Sequence, residues 1–194
     1  MARTDDVYVL PTGLPVPQDD GACAHLAGLR LPALALRSTG AESVDVAALP
    51  GRTVVYCYPR TGRPDQALST GWNDIPGARG CTPQSCAFRD HYIEMLELGF
   101  GAVYGLSTQD TAYQQEVVER LHLPFALLSD EKLEFARALK LPTFEVDGMT
   151  LIKRVTLIIH AGAIEHVFYP VFPPDANAPD VIHWLVERAT AAKL

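Results

Sequence analysis

The four cysteines of this chain include no Cys-x-x-Cys pair. That absence removes the dithiol spacing usual in thiol-disulfide oxidoreductases. No apolar run approaches the roughly 20 residues of a membrane span. Basic residues are few and scattered. Lys and Arg total 16 against 23 Asp and Glu, a net charge of 16 − 23 = −7, which argues against nucleic acid and anionic membrane surfaces, since both need a concentrated basic patch. Residues 1–18 lack the apolar core of a secretory signal, which leads us to expect a cytoplasmic protein. There is no internal repeat and no low-complexity tract. Thiols stay mostly reduced in the cytosol, so a close cysteine pair there points to catalysis or metal rather than to a structural staple. What is present is 194 residues, 48% of them apolar, enough for one substantial core.

The first residues are Pro-rich and polar, so residues 1–25 are expected to form an extended arm and residues 26–194 a single domain. Residues 29–36 alternate loosely and can pair with 43–47 across Ser38-Thr39-Gly40. Thr53-Val54-Val55-Tyr56-Cys57-Tyr58 reads as a buried central strand that Pro59 ends. A polar loop rich in Gly, Pro and Asp follows, from Arg60 to Gly80, of a length usual for functional or mobile loops. From Thr82 the period turns helical, with Phe88, Tyr92, Met95 and Leu96 on one face and Gly99 as C-cap. Residues 101–106 form the next strand. Thr108 or Asp110 then caps a helix bearing Tyr113, Val117, Val118 and Leu121. Residues 125–128 are a strand, and Ser129-Asp130 opens a helix through Leu139. A hairpin of 154–159 and 164–168 turns at Ala161-Gly162. The last helix, 179–189, turns Val181, Ile182, Leu185 and Val186 inward. Strands alternating with helices imply parallel pairing, and the closing hairpin makes the sheet mixed. The fold class is α/β.

The chemically informative segment is Gly80-Cys81-Thr82-Pro83-Gln84-Ser85-Cys86-Ala87-Phe88-Arg89-Asp90. It lies where a loop hands over to a helix. Thiolate is the reactive form of cysteine, and a helix N-terminus offers it unpaired N–H groups. Arg79 and Arg89 could add charge nearby. Cys86 lies deeper, among residues of the buried face. Five residues on a regular helix give about 7.5 Å of rise and about 140° of rotation, hence Cα atoms roughly 8.5 Å apart. A disulfide needs about 7 Å or less. A Cys81–Cys86 bond therefore requires the first turn to unwind.

This segment closely resembles the active site of the Q-type, or bacterioferritin-comigratory, peroxiredoxins, whose pattern is Thr-Pro-Gly-Cys-Thr-x-x-x-Cys-x-x-Arg-Asp. The resemblance continues in order from about Leu29 to Leu185. It includes Val54-Val55-Tyr56-Cys57-Tyr58-Pro59, Gly105-Leu106-Ser107-Thr108, Leu123-Pro124-Phe125 through Leu128-Ser129-Asp130, and Arg154-Val155-Thr156-Leu157-Ile158-Ile159. It implies a thioredoxin-like fold, a mixed central sheet with helices on both faces. It also implies reduction of hydrogen peroxide or organic hydroperoxides, with thioredoxin or a similar dithiol as reductant. By the same resemblance Cys81 is the peroxidatic cysteine, Cys86 the resolving one, and Arg154 the arginine that orients thiolate and peroxide. No metal or organic cofactor is needed, because sulfur carries both electrons. The chain departs from the family's Pro-x-x-x-Thr-x-x-Cys: Ala78 stands three before Cys81 and Asp74 seven before. About fifteen extra residues separate Pro59 from Cys81, leaving Thr61, Ser69, Thr70 or Thr82 as alternative hydroxyls.

Other residues invite plainer readings. Cys57 is a small buried strand residue. Cys23 is an arm residue or a second resolving thiol. Cys81, Cys86 and His91 form a C-x₄-C-x₄-H without an obvious fourth zinc ligand. His160, His166 and His183 cap or solvate. Trp72 anchors the long loop or lines the site. The run from Tyr169 to Pro174 packs on the sheet edge or makes a homodimer contact. The competing functions are a thiol-disulfide oxidoreductase and a non-enzymatic peroxide sensor on the same fold.

Overall fold

A computed structural model describes residues 6–191 of the chain. The strands are β1 (Ala35–Ser38), β2 (Val44–Asp45), β3 (Arg52–Cys57), β4 (Phe100–Ser107), β5 (Leu127–Ser129), β6 (Thr143–Val146), β7 (Met149–Ile152), β8 (Val155–His160) and β9 (Ala163–Phe168). The α-helices are α1 (Cys81–Asp90), α2 (Tyr92–Glu97), α3 (Thr111–Leu121), α4 (Glu134–Leu139) and α5 (Asn177–Ala191). Seven strands form one mixed sheet in the order β2-β1-β5-β4-β3-β8-β9, and β6 and β7 form a separate hairpin. The β5, β4 and β3 strands run parallel, while β8 is antiparallel to β3 and β9 to β8.

Period-two alternation in β3 divides the core. Val54, Tyr56 and the following Tyr58 face a cluster with Phe88 of α1, Met95 of α2, Val117 and Leu121 of α3, and Val181 and Leu185 of α5. Val55 and Cys57 face the opposite cluster, with Cys23, Leu26 and Leu31 of the N-terminal segment and Phe135, Ala136 and Leu139 of α4. Helices therefore cover both faces, α4 and the N-terminal segment sharing one of them. That segment is anchored: Val7, Cys23 and Leu26 are buried, and the Lys153 ammonium and the Tyr169 hydroxyl both donate to the Asp20 carboxylate at 2.8 Å.

Several elements differ from the sequence expectation. The helix expected from Thr82 to Gly99 is two helices, because His91 leaves helical backbone at φ −100°, ψ 7°. The first strand lies at Ala35–Ser38 rather than 29–36, since its partner Ser129 of β5 fixes it by pairing with Arg37. The hairpin of β6 and β7 was not anticipated. It turns at Asp147 and Gly148, both at positive φ, as a two-residue hairpin turn demands. Asp110, rather than Thr108, caps α3 by accepting from the Tyr113 amide at 2.7 Å. Val186 is exposed, because it leaves the stripe formed by Val181 and Leu185.

Gly105 lets Tyr56 lie across β4. A Cβ there would stand 2.6 Å from both Leu127 Cδ2 and Tyr56 Cζ. Gly105→Ala should destabilise the fold by about 1–3 kcal/mol, the usual cost of overpacking. It should also displace the Tyr56 hydroxyl from Ser85 Oγ, 3.2 Å away. Urea unfolding measures the first effect. A midpoint equal to wild type would show that Tyr56 moves aside freely.

Candidate active site

Cys81 is the first residue of α1, and Gly80 before it sits at φ +101°, a conformation that glycine alone adopts without strain. The turn is tight from outside as well. A Cβ on Gly80 would meet Leu10 Cδ1 at 2.5 Å and Pro174 Cγ at 2.7 Å. The segment from Tyr169 to Pro174 thus packs partly against the site within the chain. Cys81 is 3% exposed and faces a small cavity of about 20 Å³ whose walls include Val7, Arg60, Trp72, Arg79 and Thr82.

Arg154 lies in the two-residue link between β7 and β8 and is also 3% exposed. Its Nη2 is 3.2 Å from Cys81 Sγ and donates to the carbonyls of Gly77 (3.3 Å) and Arg79 (3.2 Å). Its Nη1 donates to Gln84 Oε1. Gln84 Nε2 in turn donates to Asn177 Oδ1 at 2.9 Å, which also accepts from the Thr156 hydroxyl at 2.7 Å. The chain Thr156–Asn177–Gln84–Arg154 joins β8, α5 and α1 behind the thiol. Sequence reasoning named Cys81 and Arg154 and missed the other three. The signal available was weak: Thr156 is a polar residue inside an apolar strand, and Gln84 and Asn177 sit in polar surroundings that mark nothing.

Cys86 lies in the same helix, half-buried against the cluster around Phe88 and so less deep than Cys81, the reverse of the sequence expectation. Desolvation pushes its thiol pKa up, with Arg89 opposing. All four cysteines are free, and α1 is continuous across both Cys81 and Cys86. Cys23 and Cys57 lie on the other face of the sheet. Burial raises the Cys23 thiol to about 12 and Cys57 higher still. His91 turns away to Glu94, with Nδ1 2.9 Å from Oε2, and no cluster of three metal-binding side chains occurs among the described residues.

Of the alternative hydroxyls, Thr82 lines the cavity over Cys81. Thr61 is committed elsewhere, since its amide and hydroxyl both donate to Gln109 Oε1, at 2.9 and 3.0 Å. Ser69 borders the adjoining cavity, and Thr70 is exposed. Ala78, at the family's threonine position, is fully buried. Trp72 fills both roles considered for it. It is buried, borders the Cys81 cavity, and packs against Phe144 of the β6–β7 hairpin with ring centroids 6.3 Å apart.

The Redoxin family model matches residues 26–182. Peroxiredoxin Bcp of Escherichia coli (strain K12) is 30% identical over 168 residues, 84% of this chain and 97% of that protein. Peroxiredoxin Q, chloroplastic, of Oryza sativa subsp. japonica is 30% identical over 157 residues, 80% of this chain. This chain spans 64% of the rice protein's length. Among solved structures, peroxidoxin BcpB from Mycobacterium tuberculosis aligns over 84% of this chain and 98% of its own, with a TM-score of 0.68 and 23% identity. It has the same fold.

Thiol reactivity follows the thiolate fraction, and a pKa near 12 leaves roughly one Cys23 in ten thousand ionised at pH 8. Iodoacetamide treatment of the native protein at that pH should therefore label Cys86 well before Cys23 or Cys57. Peptide mapping reads the order. Early label on Cys23 or Cys57 would mean that the N-terminal segment opens readily.

Proposed function

The chain belongs to the peroxiredoxin family, and on that premise we propose that it is a thiol peroxidase reducing hydrogen peroxide and organic hydroperoxides. One observation carries the reading: a buried arginine guanidinium 3.2 Å from a cysteine sulfur at the first residue of a helix. The Cys81 thiolate attacks the terminal peroxide oxygen. The O–O bond breaks, and the leaving alkoxide or hydroxide takes a proton. Cys81 is left as sulfenic acid. Arg154 faces the charge that moves from sulfur to the departing oxygen. The Cys86 thiol then attacks the sulfenic sulfur, an S–S bond forms and water leaves. Thioredoxin or a similar dithiol reduces the disulfide and is itself oxidised.

Sulfur carries both electrons, so the cycle requires neither metal nor organic cofactor. The proposed setting is the cytoplasm, and no described helix is long and apolar enough to cross a membrane. Residues 26–194 are taken as the catalytic domain, residues 1–25 as an arm on it, and the exposed part of 169–174 as a homodimer contact. Ala78 favours one second reading, a peroxide sensor, because its methyl group cannot supply the hydroxyl of the family threonine. A sensor would oxidise once and would not turn over with a dithiol.

Two outcomes follow from the roles. Cys81→Ser should abolish peroxide consumption, whereas substantial residual activity with loss in Cys86→Ser would reverse the two cysteines. Arg154→Met should slow oxidation by about tenfold or more, the scale of losing one preorganised donor. A rate within about twofold of wild type would leave Arg154 without a part in the chemistry.

A further outcome concerns motion. Five residues of intact helix hold the cysteines roughly 8.5 Å apart at Cα, beyond disulfide reach. Hydrogen exchange should therefore quicken from Thr82 to Phe88 on oxidation while the sheet stays protected. Equal protection in both states, with the disulfide present, would show that α1 need not open.

A further inference from the structure

We propose that Arg60 and Arg63, in the loop between β3 and α1, form a carboxylate-recognising subsite next to Cys81, selecting short organic hydroperoxides that carry a carboxylate. The inference rests on the peroxidase reading above and adds a substrate class to it.

The cavity over Cys81 and a second one of about 60 Å³ share Arg60, Gly62, Leu68 and Trp72 as walls. The second cavity also takes in Arg63, and no Asp or Glu lines it. The two guanidinium groups lie over one ring, 5.5 and 4.5 Å from the Tyr113 centroid. Two like charges beside one aromatic ring leave positive charge there that an anion would offset.

The protein supplies little of that anion. The nearest carboxylate to Arg63 is Glu116 at 3.8 Å, and Glu116 is held by Arg120 at 2.6 Å. Arg63 Nε is buried without a hydrogen-bond partner among the described residues. Arg60 has Met149 Sδ as its contact at 2.9 Å and forms no ion pair among the described residues.

The loop bearing this pair is held in place. The Tyr113 hydroxyl donates to the Thr61 carbonyl at 3.1 Å, and Arg120 Nη2 to the Gly62 carbonyl at 3.3 Å. These bonds fix the backbone that carries the pair, which lowers the ordering cost of binding a carboxylate.

Shape and charge then set the ligand. The space of about 60 Å³ is small beside the roughly 300 Å³ or more of a drug-sized pocket. It suits a short carboxylate better than a long chain. Leu68 and Trp72, common to both cavities, give the connecting carbons apolar contact. Arg60 also borders a larger cavity of about 340 Å³, lined in part by Asp110 and Glu131. Their charge repels an anion and leaves the smaller cavity as its place. The peroxide end reaches Cys81, where the O–O bond breaks as above and the product is the hydroxy acid.

The test compares kcat/KM for γ-hydroperoxy-γ-methylvalerate and for its methyl ester, in wild type, Arg60→Gln and Arg63→Gln. Wild type should prefer the acid by about tenfold, the scale of a hydrogen bond to a charged group. Both variants should bring the ratio close to one, and Arg63→Lys should keep part of the preference. Equal use of acid and ester by wild type would overturn the proposal, as would an undiminished preference in both Gln variants.

A second measurement does not depend on turnover. Isocaproate, which has no peroxide, should slow iodoacetamide labelling of Cys81 in wild type and not in Arg63→Gln, while methyl isocaproate should protect in neither. Absence of protection by isocaproate in wild type would overturn the subsite. If wild type reduced no peroxide at all, the peroxidase reading would fall, and this protection would still decide whether the subsite exists.

Discussion

A guanidinium buried to 3% exposure needs polar partners, and much of the local architecture follows from how Arg154 is met. Among the described residues no carboxylate pairs with it. The loop carbonyls of Gly77 and Arg79, the Gln84 side chain and the Cys81 sulfur meet its two terminal nitrogens instead, while Nε has no hydrogen-bond partner among the described residues. The loop brings these carbonyls inward and then reverses at Gly80, whose positive φ precedes α1 with Cys81 at its first position. Gln84 must be held with its oxygen towards the arginine, which Asn177 enforces by accepting from the Gln84 amide group and from Thr156. Uncharged partners leave the arginine's charge available to the sulfur.

The same helix faces two opposed demands in the proposed cycle. Its first turn must be formed to place Cys81 beside Arg154, and must open for Cys86 to reach it. The structure separates these demands along α1. The far half is fixed by Phe88, whose ring stacks on Tyr56 at 4.3 Å between centroids. The near end depends on contacts from outside the helix, with Leu10 and Pro174 closing on Gly80 and Arg79 donating to the Asp6 carbonyl at 3.3 Å. Opening would therefore be confined to the end held by the N-terminal segment and the loop after β9, leaving the sheet alone.

Much of this was legible in the sequence where one periodic signal dominated. Strand β3 reads directly from Thr53 to Cys57, because both faces of a central strand are apolar. Helix α3 reads from its stripe and its acidic cap. Cys81 reads from its place at a loop-to-helix junction, its peroxidatic role and Arg154 come from the family resemblance, and spacing alone shows that the two cysteines cannot bond within a helix. The hairpin of β6 and β7 carried an Asp147-Gly148 turn signal and was overlooked, since its strands are short, half-exposed and outside the main sheet. The break at His91 left no mark because the apolar stripe from Phe88 to Met95 continues across it. Gln84, Thr156 and Asn177 were invisible for a different reason. Each comes from a separate element, and only the folded topology brings them behind one arginine.

The central claim is that Cys81 is oxidised by peroxide and resolved by Cys86 after the helix opens. Intact mass after one equivalent of hydrogen peroxide tests it most directly, in wild type and in Cys86→Ser. Wild type should lose two hydrogens, as a disulfide requires, and the variant should gain one oxygen at Cys81, as a sulfenic acid requires. Oxygen gained without disulfide in wild type, or no change in either protein, would contradict the account.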